Sequence, residues 1–269
     1  MSEFRADLHC HTTCSDGTLS PEELILQAKA CGLSGLCITD HDTVNAYPAA
    51  ILAAQQHHIW LGSGVEFSTM ERGKSVHILG YDINLESEAL KAFCKRHLER
   101  RKNRNHLIVD KLKKQGLIIE WEEQDHVPLG RPHIAQALMA KGYVGSVQEA
   151  FQKWIGDNKP CFAAGTPMTV DETLAVIHGA GGKAFLAHPH LLDLSPHSLL
   201  KKPFDGIECY YASFPKDREQ KWIDLAQKNR LLISGGSDFH GAIKPHNPLG
   251  CSWVDEESFH RIFETHKWH

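Results

Sequence analysis

The sequence predicts an α/β protein whose strands and helices alternate around a barrel. Short apolar runs typical of buried strands alternate with longer segments typical of helices, in about seven or eight strand–helix units, which favours a barrel over an open sheet. Histidines and carboxylates lie within these runs or at their C-terminal ends, where barrels of this kind carry functional groups. The 269 residues suffice for one large domain or for a domain with an insertion.

The first third of the chain alternates regularly. The first helix begins with Ser20 as the N-cap and Pro21 in its first turn, and Gly32 is a plausible C-terminal stop. The predicted strands are Phe4–His9, Gly35–Asp40, Ile59–Phe67 and Val76–Tyr81, and the predicted helices are Ser20–Cys31 and Val44–Gln56.

The alternation stops after Asp82. One long helix rich in Lys and Arg is predicted from Leu85 to about Gln115, and shorter helices over Pro132–Lys141 and Val147–Trp154. No strand is predicted among them, so residues 83–165 form a helical insertion between two segments of one domain, 1–82 and 166–269.

The alternation resumes in the last third. The predicted elements are helix Val170–Gly179, strands Lys183–His188 and Gly206–Tyr211, helix Pro215–Lys228, strands Leu231–Ser234 and Cys251–Val254, and a terminal helix Glu256–His266.

Composition narrows the class of protein. A net charge of −4 argues against a protein built mainly to coat nucleic acid, although a local basic patch remains compatible with it. The eight cysteines are scattered without a Cys-x-x-Cys pair, and no secretory signal precedes the first motif, so a cytoplasmic protein with reduced thiols is expected. No apolar stretch is long enough to span a membrane.

Histidines at alternating positions give the strongest functional signal. His9 and His11 project to one face of a strand, and Asp16 follows closely. Two hydrogen-bonded histidines near a strand end would be the structural alternative, but four further segments repeat the pattern. The candidate metal ligands are His9, His11, Asp16, His41, Glu66, His77, His188, Asp238 and His240.

This ligand set indicates hydrolytic metal chemistry. Six imidazoles and three carboxylates can hold three ions if Glu66 bridges two of them, and ligands without thiolate suit Mn, Fe, Zn or Co. Cys10 and Cys14 lie near the histidines, but strand alternation turns Cys10 away. Several metals with open positions activate water and bind two substrate oxygens, which suits a phosphate ester.

These motifs resemble the PHP family, named for polymerase and histidinol phosphatase. The resemblance spans the chain and fills every ligand position. It is carried by His9-Cys10-His11 with Ser15-Asp16-Gly17, Thr39-Asp40-His41-Asp42, Gly64-Val65-Glu66 with His77, His188-Pro189, and Asp238-Phe239-His240.

The resemblance implies a distorted (β/α)7 barrel, formed by 1–82 and 166–269, whose active site is capped by the helical insertion 83–165. It implies three divalent ions, with Mn favoured and Fe or Zn as alternatives, and gives Asp40 the catalytic task of orienting a ligand imidazole. It assigns His9, His11, Glu66 and Asp238 to one ion, Glu66, His77 and His188 to a second, and Asp16, His41 and His240 to a third.

Within the family, the insertion resembles that of small stand-alone bacterial phosphoesterases, through Gly130-Arg131-Pro132-His133. Those enzymes remove the 3′-phosphate from nucleoside 3′,5′-bisphosphates, and relatives trim RNA from its 5′ end. Arg131 at a helix start could hold a phosphate together with backbone N–H groups, assisted by His133. A surface arginine beside a cap is the alternative, and the resemblance favours phosphate binding.

The resulting prediction is a metal-dependent phosphoesterase in which a metal-bound hydroxide attacks the phosphate of a nucleotide or short RNA. The alternatives are a phosphatase for a small amine phosphate such as histidinol phosphate, and a non-catalytic metal-binding module. The basic helix and Arg131 argue against the first, and the complete ligand set argues against the second. No duplex DNA, membrane or obligate protein partner is expected.

Overall fold

The computed structural model describes residues 3–212 and 214–269, which form two compact units. The larger unit comprises the chain up to Cys94 and from Met168 onward, and the smaller unit is Lys95–Pro167. The mixed α/β class is confirmed. No helix in the described ranges combines the length and apolar character that a membrane crossing requires.

The larger unit contains two sheets. In the first, β1, β2 and β3 are parallel and β9 pairs antiparallel with β3; these strands are β1 (Ala6–Cys10), β2 (Gly35–Ile38), β3 (Trp60–Gly62) and β9 (Lys267–Trp268). The second has the order β4-β5-β6-β7-β8, with β4 (Gly64–Glu71), β5 (Lys74–Tyr81), β6 (Lys183–Leu186), β7 (Gly206–Tyr211) and β8 (Leu232–Gly236). In that sheet β5 runs antiparallel to β4 and β6, and β6, β7 and β8 are parallel.

Helices connect these strands, and several begin at the caps that the sequence supplies. Ser20 accepts a hydrogen bond from Glu23 N while the Glu23 carboxylate accepts one from Ser20 N, which closes a capping box at α1. The helices are α1 (Pro21–Ala30), α2 (Tyr47–His57), α6 (Val170–Gly179), α7 (Pro196–Leu199), α8 (Lys216–Asn229) and α9 (Glu256–Ile262), with 3-10 turns at Pro189–Leu191 and Gly241–Ile243.

Two isolated bridges align the segments that carry the candidate ligands. Cys10 at the end of β1 bridges Phe239, and His41 after β2 bridges Glu66 on β4. Each bridge joins a residue of the first sheet, or of its connecting loop, to the second sheet or its continuation. His9, His41, Glu66 and Asp238 are thereby brought to one region of the larger unit, above fully buried side chains such as that of Leu8.

The smaller unit has its own apolar core. Helix α3 (Glu88–Lys114) begins in the larger unit and continues into the smaller one, which also contains α4 (Arg131–Ala140) and α5 (Val147–Ala150). A π-helical turn, Phe151–Ile155, follows α5. The core residues include Ile108, Leu112, Ile134, Leu138 and Cys161.

The predicted strand Ile59–Phe67 is wrong as one strand. It breaks at Ser63 into β3 and β4, which belong to different sheets. Ser63 N donates to His266 O, and Asp82 N donates to Ser63 O, so distant backbone separates the two halves. A Cβ on Gly64 would collide with Cys37 Sγ, so the chain after the break requires glycine.

The predicted C-terminal elements also differ from the structure. No strand forms over Cys251–Val254; Val254 makes only a single bridge, to Ala6. The terminal helix ends at Ile262, and Lys267–Trp268 form β9 instead. Strands β3, β4 and β5 follow one another without an intervening helix, and no helix is predicted between Ile59–Phe67 and Val76–Tyr81 either.

Candidate metal centre

The structure brings all nine candidate ligands together. They lie on six strands or in the loops that follow them, so residues far apart in the chain share one pocket. His9 lies on β1 with His11 directly after it, Asp16 on the next loop, His41 after β2, Glu66 on β4, His77 on β5, His188 after β6, and Asp238 and His240 after β8.

The ligand atoms form three groups, and within each group all atoms lie within 4.8 Å of one another. One matches the first assigned set, and the second adds His11 to the third assigned set. They are His9, His11, Glu66 and Asp238; His11, Asp16, His41 and His240; and His41, Glu66 and His77. His188, expected beside Glu66 and His77, lies outside the third group but contacts the same Glu66 oxygen as His77.

Glu66 is the centre of the arrangement. Its Oε1 lies 2.9 Å from His77 Nδ1 and 2.9 Å from His188 Nε2. The side chain is 1% exposed. Its Oε2 lies 3.1–3.2 Å from one ring nitrogen of each of His9, His11 and His41. One carboxylate thus faces five imidazoles, as a bridging ligand would.

Several of these buried atoms make no hydrogen bond within the described residues: His9 Nε2, both His11 ring nitrogens, His41 Nδ1, Glu66 Oε2 and His188 Nδ1. Buried polar atoms almost always have partners. Two ligands about 2.1 Å from one ion are roughly 3.0–3.4 Å apart at octahedral or tetrahedral angles. The contacts around Glu66 Oε2 have this spacing, so these residues fit a divalent metal.

Glu208 contacts two of the ligand residues, His9 and His188, and was not predicted. It is fully buried on β7; its Oε1 lies 2.7 Å from His9 Nδ1, and its Oε2 accepts a hydrogen bond from His188 N at 2.7 Å. Binding at Nδ1 leaves His9 Nε2 facing Glu66 and Asp238. One buried carboxylate therefore orients a ligand imidazole and fixes the backbone of a second ligand.

Asp238 has two differently used oxygens. Oδ1 lies 3.3–3.5 Å from His9 Nε2 and His11 Nε2. Oδ2 accepts hydrogen bonds from Tyr211 Oη and Lys244 Nζ, each at 2.7 Å. Neither Tyr211 nor Lys244 was predicted as part of this site.

Asp40 holds the loop that carries two of the ligands. Its carboxylate accepts hydrogen bonds from Thr12 N, Thr12 Oγ1 and Ser15 Oγ at 2.6–2.7 Å, and no hydrogen bond to a ligand imidazole is seen in the described ranges. Asp40 instead holds the loop between His11 and Asp16. Glu208 contacts His9 Nδ1, and the role that the resemblance gives to Asp40 stays a prediction.

Electrostatics keep the ligand carboxylates ionised. Burial raises the pKa of Glu66, but His41, His9 and His77 outweigh it and hold that pKa well below its usual range. Burial likewise raises the pKa of Asp238, and Lys244 is the first of the groups that bring it well below normal. Ionised carboxylates are the form that binds metal ions.

The histidines divide into two classes. Burial lowers the pKa of His41 well below normal and also lowers that of His240. Burial also opposes the charged form of His11, yet Asp238 and Glu66 raise its pKa to about 9. A proton must therefore leave His11 before it can bind a metal ion.

Two of the ligands lie on strained backbone. Asp238 and His188 have positive φ values of 51° and 24°, and Asp42, directly after His41, has a φ of 59°. Such conformations cost free energy for non-glycine residues and are common at functional sites. The strained turns hold ligand side chains at the ends of β6 and β8.

Comparison with known proteins agrees with this chemistry. The PHP domain model matches residues 7–163. The 5′-3′ exoribonuclease Rnm of Salmonella typhimurium is 34% identical over 93% of this chain and 87% of its own length. The chain belongs to the PHP family.

Two further relatives cover most of the chain. A 3′,5′-nucleoside bisphosphate phosphatase of Chromobacterium violaceum is 31% identical over 87% of this chain and 86% of its own length. The crystal structure of a candidate metal-dependent phosphoesterase from Bifidobacterium adolescentis has a TM-score of 0.87 and 31% identity, and covers 96% of this chain and 94% of the other. The chain is thus a metal-dependent phosphoesterase of the PHP family.

In this PHP protein, Arg131 and His133 lie in the smaller unit, at the start of α4. The Arg131 guanidinium pairs with Asp157 at 2.6 Å and lies 5.4 Å and 5.6 Å from the ring centroids of Phe151 and Phe162. Gly130 N donates a hydrogen bond to His133 Nδ1. Both side chains therefore have structural partners within their own unit, and their predicted role in phosphate binding stays a prediction.

Proposed function

We propose that this PHP enzyme hydrolyses phosphate esters of nucleotides. The main substrate is the 3′-phosphate of nucleoside 3′,5′-bisphosphates, with 5′-3′ trimming of short RNA as the related activity. One observation carries the proposal: nine complementary ligands converge around Glu66, with buried nitrogens and oxygens that lack hydrogen bonds. The relatives named for RNA and for bisphosphate hydrolysis support the substrate class.

His9, His11, Glu66 and Asp238 would hold one divalent ion; Glu66, His77 and His188 a second; and Asp16, His41 and His240 a third. Mn is proposed, with Fe or Zn as alternatives that the same nitrogen and oxygen ligands accept. Bound ions of this kind neutralise phosphate oxygens and lower the pKa of water. The protein contributes strained turns and the Glu208 support, which set the ligand positions before substrate arrives.

Hydrolysis proceeds by direct attack of water, without a covalent protein intermediate. The hydroxyls of Thr12 and Ser15, which adjoin the ligands His11 and Asp16 in the chain, are at most 1% exposed and donate to Asp40. Such hydroxyls are committed to the loop and closed to substrate. In a single turnover in 18O-labelled water, the released phosphate should carry the label; unlabelled phosphate would identify a protein nucleophile.

A phosphate-release assay with Mn²⁺ tests the proposed substrate. Purified protein is offered a nucleoside 3′,5′-bisphosphate, a 5′-phosphorylated RNA oligomer and histidinol phosphate at equal concentration. The bisphosphate should give the highest kcat/KM, and EDTA should abolish the activity. Preference for histidinol phosphate would favour the small-phosphatase alternative, and no turnover of any substrate would favour a non-catalytic metal-binding module.

The proposed organisation is a distorted (β/α)7 barrel formed by 1–82 and 166–269, with the insertion 83–165 capping the active site. The bridges Cys10–Phe239 and His41–Glu66, which join the two sheets, support barrel closure. We also propose a cytoplasmic enzyme. Its eight cysteines are free thiols, which suits a reducing compartment.

A further inference from the structure

Lys244 reaches the metal-ligand pocket through a tightly held turn. After His240 the chain forms the 3-10 turn Gly241–Ile243, and Ala242 N donates to Thr18 Oγ1. Gly241 has a φ of 64°, and a Cβ there would collide with Thr18 Oγ1. The turn brings Lys244 back toward Asp238, six residues earlier in the chain.

The Lys244 ammonium contacts an oxygen that already has a donor. Asp238 Oδ2 accepts one hydrogen bond from Tyr211 Oη and a second from Lys244 Nζ, both at 2.7 Å. Tyr211 is buried on β7. One neutral donor suffices to fix the carboxylate rotamer, so holding Asp238 in place does not account for the lysine charge.

Lys244 also differs from Tyr211 in access to solvent. The Lys244 side chain is 40% exposed, whereas Tyr211 is 9% exposed. An ammonium has three N–H donors, and the described contact with Asp238 uses one of them. The ammonium is thus in direct contact with a ligand carboxylate and open to solvent on its other side.

We propose that Lys244 binds the phosphate group that is hydrolysed. Its remaining N–H groups donate to a non-bridging phosphate oxygen, while the N–H group that donates to Asp238 Oδ2 keeps the ammonium at the edge of the pocket. A positive charge in this place offsets the charge of a phosphate dianion. Tyr211 is a positioning residue that acts through Asp238. The inference deepens the proposed function and rests on it.

Calorimetric titration of inorganic phosphate into the Mn²⁺-loaded protein tests the inference without turnover. Lys244→Met should raise the phosphate Kd roughly 10- to 150-fold, the range expected for a charge-assisted hydrogen bond. Lys244→Arg should restore most of the affinity, because it keeps the charge. Metal content by elemental analysis should equal that of the wild type in both variants.

Two further variants separate the possible roles. Tyr211→Phe removes the other donor to Asp238 Oδ2 and should change the phosphate Kd less than about threefold, since its role is to position a ligand. Lys91→Met removes a surface lysine that pairs with Glu86 and Glu88, and controls for net charge alone. Circular dichroism establishes that each variant folds.

Turnover then links the contact to catalysis. Lys244→Met should lower kcat/KM for a nucleoside 3′,5′-bisphosphate and for an aryl phosphate by a similar factor, because both present the same scissile phosphate. An unchanged phosphate Kd in Lys244→Met, a Kd raised equally by Tyr211→Phe, or a loss of bound metal would overturn the inference. Tight phosphate binding by a wild type that hydrolyses none of the esters would instead refute the proposed function alone.

Discussion

The two sites predicted from the sequence differ in how their polar atoms are satisfied. Around Glu66, buried nitrogens and oxygens face one another at 3.1–3.2 Å without hydrogen bonds. At the start of α4, Arg131 pairs with Asp157 and lies against Phe151 and Phe162. The first set of contacts makes sense only with a ligand, whereas the second is already a complete structural arrangement.

This difference shows what a buried polar cluster means. Burying polar atoms without hydrogen bonds costs free energy, so an arrangement that leaves several of them without hydrogen bonds is retained for a function. Arg131 has its counterion and its stacking partners in the same unit. A phosphate there must compete with Asp157, and its contribution is correspondingly smaller than that of the metal ligands.

The largest expected effect is that of Glu66→Gln. The amide keeps the volume but loses the negative charge shared by five imidazoles, so bound metal should fall and kcat/KM should drop by more than the roughly 100-fold seen for groups that only support a ligand. Elemental analysis and the phosphate-release assay measure both. Full metal content with near-normal turnover would contradict the bridging role.

Asp82→Asn is the matched control, since Asp82 is also a buried carboxylate. Its oxygens accept hydrogen bonds from Glu264 N, Thr265 N and His266 N, and Lys183 lies nearby. The substitution should lower the free energy of unfolding by about 1–3 kcal/mol, with metal content intact. Metal loss in this variant as well would mean that general destabilisation explains the result for Glu66→Gln.

How much the sequence could predict follows from the same contrast. The nine ligands could be predicted because each lies in or after a short apolar run in a recurring motif. Glu208 was not, because it is one carboxylate inside an apolar strand and its partner His9 is 199 residues away. The break at Ser63 depends on backbone contacts with Asp82 and His266, and local pattern carries no information about them.

Helix ends show the opposite behaviour. Ser20 and Thr169 accept backbone hydrogen bonds at the starts of α1 and α6, and the helices predicted beside them agree with the structure within a residue or two. Capping is a contact between residues three apart, so the sequence contains both partners. Lys244, whose function depends on the fold of the turn after His240, had no such local signal.

Arg131→Ala has the next largest expected effect, and only on one substrate. If Arg131 binds the phosphate that is not cleaved, kcat/KM for a nucleoside 3′,5′-bisphosphate should fall roughly 10- to 150-fold, because a charge-assisted contact no longer orients the substrate. Hydrolysis of an aryl phosphate, which lacks a second phosphate, should barely change.

Lys141→Ala is the control for Arg131→Ala. Lys141 is a cation of the same unit and pairs with Glu120. It should leave both substrates unaffected. Equal losses on the two substrates in Arg131→Ala would show that Arg131 supports the fold of its unit, as its contacts with Phe151 and Phe162 suffice to explain.

Glu208→Gln should weaken metal binding by roughly 10- to 100-fold. The amide replaces one of the two acceptor oxygens with an NH2 group, which cannot accept a hydrogen bond, so the contacts with His9 Nδ1 and His188 N are no longer both made and His9 loses its fixed orientation. Isothermal titration with Mn²⁺ measures the change, and saturating Mn²⁺ should restore much of the activity. Unaltered affinity would mean that the His9 ring is held by its other neighbours.

The smallest and most discriminating effect is expected from Asp157→Asn. In the structure the Asp157 carboxylate forms an ion pair with the Arg131 guanidinium at 2.6 Å. The Asp157 side chain is 56% exposed. An exposed ion pair contributes about 0–1 kcal/mol, so releasing Arg131 should raise kcat/KM for the bisphosphate by at most about fivefold, mainly through a lower KM. The aryl phosphate should be unaffected. A lower kcat/KM for the bisphosphate would show that the Arg131–Asp157 pair acts as a structural unit and would place phosphate recognition elsewhere. A higher kcat/KM would show that Arg131 accepts an anion once Asp157 no longer pairs with it.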